Sequence, residues 1–130
     1  MNATLQGLVM HEMSIAMELL EQVLATAAEH EAIRIDEVEV EVGALRAVVP
    51  EALELAFQAA GRGTIAENAR LTIKEEKAVA VCRSCECMFL PEPGVYVCPQ
   101  CSEADARIVS GNDILLRAVA CETSAEVPSS

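Results

Sequence analysis

The feature of this sequence that most constrains its fold is a pair of C-x-x-C motifs separated by twelve residues, with Cys82 and Cys85 in the first and Cys98 and Cys101 in the second. They lie in a segment, 79–111, that contains three prolines and has no helical period. Such a segment buries little apolar surface and needs a cross-link. Two residues between cysteines let both thiolates of a knuckle reach one ion, and two knuckles complete a tetrahedral zinc shell. The spacing therefore predicts a structural zinc site without an open coordination position.

Two other interpretations of the cysteine pairs are weaker. Disulfides suit secreted chains, and a redox C-x-x-C opens a helix after a strand, whereas these pairs lie in proline-containing turns. Glu86 and Ser102 follow the two knuckles, where glycine is common because positive φ is needed, so the surroundings of the zinc are expected to be altered. Of the remaining cysteines, Cys87 is close enough to compete as a ligand but has the wrong spacing, and Cys121 is expected to be an inert buried thiol.

The rest of the chain predicts two helices and three strands. Apolar residues recur at steps of three and four over 13–30, and Ser14 is the expected N-cap. Strict alternation of valine and glutamate predicts a strand at 36–42. Pro50 begins a second helix that ends at Gly61, and further strands are expected at 70–76 and 113–121. The predicted fold is α+β, with two helices packed on a small three-stranded mixed sheet and an inserted zinc-ribbon-like domain.

This pattern predicts the following domain organisation. Residues 1–9 form an N-terminal extension, which would be spurious if translation begins at Met10. Residues 10–78 form an α/β domain completed by 112–122, and 79–111 form the inserted zinc-binding domain. Residues 123–130 are small and polar and are expected to be disordered.

Composition limits the classes of function. Hydrophobic residues make up 52% of the 130, but aromatic residues only 2%, so the core must be aliphatic and benefits from a metal. Nine basic and 21 acidic residues give a formal net charge of -12, which argues against nucleic-acid binding. No apolar run is long enough for a membrane span, and the first ten residues do not resemble a signal peptide, so a cytoplasmic location without membrane association is predicted.

A second metal site is expected at Met10, His11 and Glu12. If Met10 is the first residue, its α-amine, the following amide nitrogens and the His11 imidazole can surround a metal in one plane. A square of nitrogen ligands suits Ni(II) or Cu(II). Without a free amine at Met10, His11 is better interpreted as an exposed residue near a terminus. His30, the other histidine, ends the first helix and is given no function.

The order of these motifs resembles the HypA/HybF family of hydrogenase nickel-incorporation proteins. The resemblance covers about residues 10–122 and implies a nickel metallochaperone, not an enzyme. It implies transported Ni²⁺ at His11, Met10 and Glu12, and structural Zn²⁺ on the four paired cysteines. It implies delivery to the large subunit of nickel-iron hydrogenase, sometimes also to urease, together with a HypB-like nickel GTPase. The matching stretches are Met-His-Glu-Met-Ser-Ile-Ala at 10–16, Glu-Val-Gly-Ala-Leu at 41–45, Pro-Glu-Ala-Leu at 50–53, Phe57, Arg-Gly-Thr at 62–64, the cysteine pairs, and Ser-Gly-Asn-Asp at 110–113.

The sequence departs from the family pattern before Met10 and at Val49. Nine residues precede Met10, and Val49 stands where relatives often carry a carboxylate before Pro-Glu-Ala, which puts a metal-binding role at that position in doubt. The alternative function is a zinc-ribbon module that binds nucleic acid or a protein complex. The sequence leaves the oligomeric state open between a monomer and a homodimer.

Overall fold

The computed structural model describes residues 3–92 and 95–123, and for residues 3–10 it describes the backbone alone. Within these ranges the predicted α+β class is confirmed. The chain divides into two compact units, one made of 1–40, 48–73 and 116–130 and the other of 41–47 and 74–115. The elements in chain order are α1 (Ala3–Glu29), β1 (Ala32–Gly43), a short 3₁₀ turn (Ala44–Arg46), α2 (Pro50–Ala60), β2 (Arg70–Glu76), β3 (Val79–Cys82), β4 (Met88–Phe89), β5 (Ala106–Ser110) and β6 (Ile114–Thr123).

Helix α1 begins ten residues earlier than the sequence predicted. The predicted N-cap, Ser14, lies inside the helix with its side chain exposed, so that assignment was wrong. No proline interrupts residues 3–12, and most of them are good helix formers, so the helix continues upstream. The buried face of α1 repeats at helical spacing and consists of Ile15, Ala16, Leu19, Val23 and Ala27.

Helix α2 packs beside α1 and ends as its sequence predicts. Pro50 occupies the first turn, where its missing N–H costs nothing, and Gly61 caps the C-terminus by donating its N–H to the carbonyl of Phe57 at 2.9 Å. Leu53, Ala56 and Phe57 are buried. In the described residues neither helix has a stretch long and apolar enough to cross a membrane.

The larger sheet has the order β2-β1-β6, so β1 is its central strand. On β1, Val38, Val40 and Val42 are buried, as the alternating pattern predicts. The predicted bounds of β2 match the structure, whereas β1 begins four residues before the predicted start. The short aliphatic side chains of this sheet and of the two helices supply most of the apolar core, together with Phe57.

The cysteine-rich unit contains the second sheet, of order β4-β3-β5, in which both pairs of strands are antiparallel. Its buried described residues are few, and most of them are small: Val42, Gly43, Ala78, Ala80, Cys82, Pro91, Cys98 and Gly111. Several large apolar side chains are exposed, and Tyr96, the single tyrosine of the chain, is 38% exposed. The predicted disordered tail, apart from Thr123 at the end of β6, lies outside the described residues.

Two glycines in this unit allow a close approach of backbones. A Cβ on Gly43 would lie 2.3 Å from the carbonyl carbon and oxygen of Gly111. The Gly43 N–H donates to the carbonyl of Asp113 at 2.7 Å, and the Leu45 N–H donates to the carbonyl of Gly111 at 2.9 Å. Gly111 also has a φ of +86°, which L side chains rarely adopt. Backbone contacts therefore hold the end of β1 against the β5–β6 connection, and a side chain at either glycine would prevent them.

Candidate metal centres

The structure brings together the four cysteines that the sequence predicts as zinc ligands. Their sulfur atoms all lie within 4.8 Å of one another. The Cys82 and Cys101 sulfurs are 3.5 Å apart, and the Cys85 and Cys98 sulfurs are 3.6 Å apart. A tetrahedron with Zn–S bonds of about 2.3 Å requires sulfurs about 3.8 Å apart. The cluster therefore fits a zinc ion in both its spacing and its ligand type.

Each knuckle is a tight turn closed by a backbone hydrogen bond. The Glu86 N–H donates to the carbonyl of Cys82 at 2.8 Å, and the Ser102 N–H donates to the carbonyl of Cys98 at 2.9 Å. Glu86 has a φ of 62° and Ser102 a φ of 64°, so both lie in the left-handed region. The positions where the sequence lacks the usual glycines thus do adopt positive φ, and the two knuckles have the same backbone form despite non-glycine residues.

The clustered thiols differ in acidity because their surroundings differ. Backbone N–H groups of Cys101 and Gln100 point at the sulfur of Cys98 and lower its pKa to about 6. The Cys87 amide acts in the same direction on Cys85, but desolvation and hydrogen bonds with the neighbouring thiols raise the pKa of Cys85 to about 12. Because a divalent cation binds thiolates, its binding would displace the thiol protons.

The other two cysteines lie outside this cluster. Cys87 directs its thiol to the carbonyl of Met88 at 3.4 Å, and its backbone carbonyl accepts from the Cys82 N–H at 2.9 Å. Its pKa is raised, mainly by desolvation. Cys121 is half-buried on β6. Four thiolates suffice for a closed zinc shell, which stabilises a fold and leaves no position for substrate.

The structure places the predicted nickel residues within α1. His11 is partly exposed, with a side-chain exposure of 40%, whereas Glu12 is fully buried. The His11 Nδ1 lies 3.7 Å from the Glu12 Oε2. The side chain of Met10 lies outside the described residues.

The burial of Glu12 is the feature that sequence reasoning missed. Its Oε2 accepts a hydrogen bond from the Val49 N–H at 2.9 Å, and its Oε1 is buried without a partner among the described residues. Val49 is the N-cap residue of α2, so the carboxylate lies at the positive end of that helix. A signal was present, because Glu12 is in phase with Ala16, Leu19 and Val23 and so occupies an apolar position of the helix.

The helical conformation also determines which backbone amide nitrogens are free of a hydrogen bond and so able to bind a metal. Within an α-helix each backbone N–H after the first turn donates to the carbonyl four residues earlier. In the chain with its helix starting at Ala3, the amides of His11 and Glu12 are committed in this way. In a helix that began at Met10 the same amides would belong to the first turn, whose N–H groups have no intrahelical acceptor.

Comparisons with known proteins agree with this architecture. A family model described as HypA, hydrogenase/urease nickel incorporation, metallochaperone, matches residues 10–121. The hydrogenase maturation factor HypA of Chlorobium limicola is 42% identical over 113 residues, which cover 87% of this chain and 97% of the relative. The factor of the same name from Picosynechococcus is 36% identical over 110 residues, covering 85% and 97%.

Two solved structures share the fold. The solution structure of the Ni metallochaperone HypA from Helicobacter pylori matches with a TM-score of 0.65 and 24% identity, covering 87% of this chain and 98% of that one. A second, titled the solution structure of HypA protein, matches with a TM-score of 0.64 and 28% identity, covering 90% and 98%.

Proposed function

Because this chain belongs to the HypA family of hydrogenase/urease nickel-incorporation metallochaperones, we propose that it carries Ni(II) to the large subunit of nickel-iron hydrogenase. It binds the ion at Met10, His11 and Glu12 and performs no catalysis of its own. The family match over residues 10–121 is the observation that carries this proposal, and the position of His11 beside Glu12, whose carboxylate lies at the start of α2, supports it.

Zinc has the structural role in this proposal. Cys82, Cys85, Cys98 and Cys101 bind it as thiolates, and the sulfur spacing described above supports this assignment. The cysteine-rich unit has few buried apolar residues, so the metal would supply stability that the core lacks. A four-thiolate shell also keeps zinc from exchanging with the cargo, because it offers no open position.

The nickel-binding form is proposed to begin at Met10. There the α-amine, the amides of His11 and Glu12 and the His11 imidazole can form a square of nitrogens, which is a geometry typical of Ni(II). The family match also starts at residue 10. Since a peptide amide must lose its proton to bind metal, the free N–H groups of a first helical turn are suited to this task and interior helical amides are not.

Glu12 is proposed to act on this site through its position. Its carboxylate accepts a hydrogen bond from the Val49 N–H, which anchors α1 to the start of α2. Glu12 therefore contributes its amide nitrogen to nickel and keeps its carboxylate for the anchor. Val49 itself offers no side-chain ligand, so the nickel shell does not depend on that position.

Nickel release would follow from the exposure and the protonation of the site. The α-amine and the imidazole both bind metal in their deprotonated forms, so nickel competes with protons for them. Affinity should fall steeply below neutral pH. A HypB-like nickel GTPase and the hydrogenase large subunit, or urease maturation proteins, are the proposed partners in the transfer.

Native mass spectrometry with Ni(II) titration tests this function. The chain beginning at Met10 should retain one zinc and bind one nickel, whereas His11→Ala and the chain beginning at Met1 should retain zinc and lose nickel. His30→Ala is the matched control, because it removes the other histidine and should leave nickel binding intact. Zinc alone in every form would reject the carrier function. Equal nickel binding by the Met1 and Met10 forms would reject the role of the amine.

A further inference from the structure

Helices α1 and α2 border an apolar groove that the proposed metal chemistry does not use. The groove has a volume of about 420 Å³, and it lies in the unit that contains both helices. Concave sites that take ligands have volumes of about 300–1,000 Å³. Its apolar lining consists of Met13, Met17, Leu20 and Leu24 from α1 with Ala59 and Ala60 from α2.

The shape of the groove fits a helix. The four α1 residues recur at steps of four, three and four and so form a straight ridge, about 16 Å long at 1.5 Å per residue. The residues of α2 that line the groove, Ala59 and Ala60, are small. A partner helix of about three turns, with apolar residues at i, i+3, i+4 and i+7, would match this length. Methionine adapts well to such partners, and Met17 is 58% exposed.

The charge around the groove determines which helix it would accept. Glu21 lies in the groove wall, and Glu18, Glu29, Glu51 and Glu54 are the other exposed carboxylates of the two helices. The sequence of α1 and α2 contains no lysine or arginine. Because Glu21, the charged residue in the groove lining, is acidic, the groove favours a partner of the opposite sign over a like-charged one. A second copy of this chain would bring the same negative helices and would be repelled.

We propose that this groove binds a basic amphipathic helix of another protein, with the apolar face of that helix against Met17 and its lysines or arginines near Glu21. The surface uses no atom of the Met10, His11 and Glu12 motif, so the proposal stands apart from nickel binding. It gives the carrier a docking surface on the same helix as the proposed cargo site.

A labelled synthetic peptide tests the proposal on the zinc-loaded full chain. The probe is a capped leucine–lysine peptide of about four helical turns, with leucine at i, i+3, i+4 and i+7. The control peptide has the same leucines and glutamate in place of lysine. Fluorescence anisotropy should show binding of the basic peptide, weakening as ionic strength rises, and no binding of the acidic one.

Substitutions then locate the binding surface. Met17→Glu should weaken binding about tenfold or more, and Glu21→Lys about fivefold. Leu55→Glu is the matched control for Met17, because Leu55 is 67% exposed on α2 and does not line the groove. Glu39→Lys is the control for Glu21, since it reverses an exposed charge on β1. Both controls should bind as the wild type does.

Three results of the peptide assay would overturn the proposal. They are equal binding of the acidic peptide, undiminished binding by Met17→Glu, and an equal loss in Leu55→Glu. Sedimentation that showed self-association lost in Met17→Glu would also overturn it, because the face would then join two copies of the chain. If Met17→Glu fails to fold, amide chemical shifts of the wild type on peptide addition decide instead, and they should change along α1 and α2 beside the groove and not along β1.

Discussion

Replacement of Glu12 by glutamine or alanine offers a quantitative test of the anchor between α1 and the start of α2. The carboxylate accepts the Val49 N–H at 2.9 Å, and a hydrogen bond to a charged group contributes about 1.5–3 kcal/mol. The positive end of α2 adds about 0.5 kcal/mol. Against these gains, Oε1 is buried without a partner among the described residues, which costs about 1 kcal/mol or more.

Glu12→Gln keeps the shape of the side chain and an oxygen acceptor for the Val49 N–H. It exchanges a charged hydrogen bond for a neutral one worth about 1 kcal/mol. The amide nitrogen takes the place of the unpartnered Oε1, so that penalty remains. The expected loss of unfolding free energy is therefore about 1 kcal/mol.

Glu12→Ala removes the acceptor and two buried methylenes, each worth about 0.8 kcal/mol. The hydrogen bond, the helix-end interaction and the methylenes together amount to about 4 kcal/mol, and removal of the unpartnered oxygen returns about 1. The expected loss is thus about 3 kcal/mol, and Glu12→Gln should lie about a third of the way to it.

Urea unfolding followed by the far-UV helical signal measures this series, because both helices lie in one unit. Glu18→Gln and Glu18→Ala are matched controls, since Glu18 is exposed on the same helix, and each should change stability by about 0.5 kcal/mol or less. A Glu12→Gln protein as stable as the wild type, or more stable, would refute the reasoning. It would mean that burial of the charge costs as much as its hydrogen bond contributes.

Three further predictions concern the cysteine-rich unit. Cys82→Ser should abolish zinc retention in native mass spectrometry and the hydrogen-exchange protection of segment 79–111, because structural zinc contributes about 10–16 kcal/mol in small zinc units. Cys121→Ser should retain both, and protection that persisted without zinc would contradict the structural role. Glu86→Gly and Ser102→Gly should each slow zinc removal by a chelator. Both residues have a positive φ, which costs a non-glycine residue about 1–2 kcal/mol, and the entropy that glycine loses on folding costs less. Unchanged or faster zinc loss would show that the positive φ stores no such strain. Gly43→Ala should destabilise the same unit by about 3 kcal/mol in urea unfolding, since its Cβ would meet backbone at 2.3 Å, and a change within error would mean that the backbones can separate freely.

The elements that could be predicted from the sequence are those whose ends are marked by local signals such as proline and glycine. Pro50 and Gly61 bound α2, and β2 was predicted with its observed limits. Helix α1 has no such signal at its start, so the sequence predicts a cap at Ser14 although most residues upstream are also good helix formers. Local signals mark where an element must stop, but they say little about how far an element extends when no such signal is present.

The candidate sites likewise divide into contacts that local sequence spacing predicts and contacts that it does not. Spacing alone was enough to group Cys82 with Cys85, and the structure adds only that both pairs converge. The contact of Glu12 with Val49 joins residues far apart in the sequence, and so does the approach of Gly43 to Gly111. No local pattern specifies such contacts, because they depend on how the elements pack.

The distribution of aromatic side chains makes the cysteine-rich unit optically distinct. The chain has no tryptophan and one tyrosine, Tyr96, which lies two residues before Cys98. All tyrosine emission therefore originates in the unit that holds the four clustered thiols, and none in the unit that carries α1 and α2. Since the phenol is 38% exposed, an added quencher can reach it. Tyrosine fluorescence therefore reports, without any added label, on the unit that holds the four clustered cysteines.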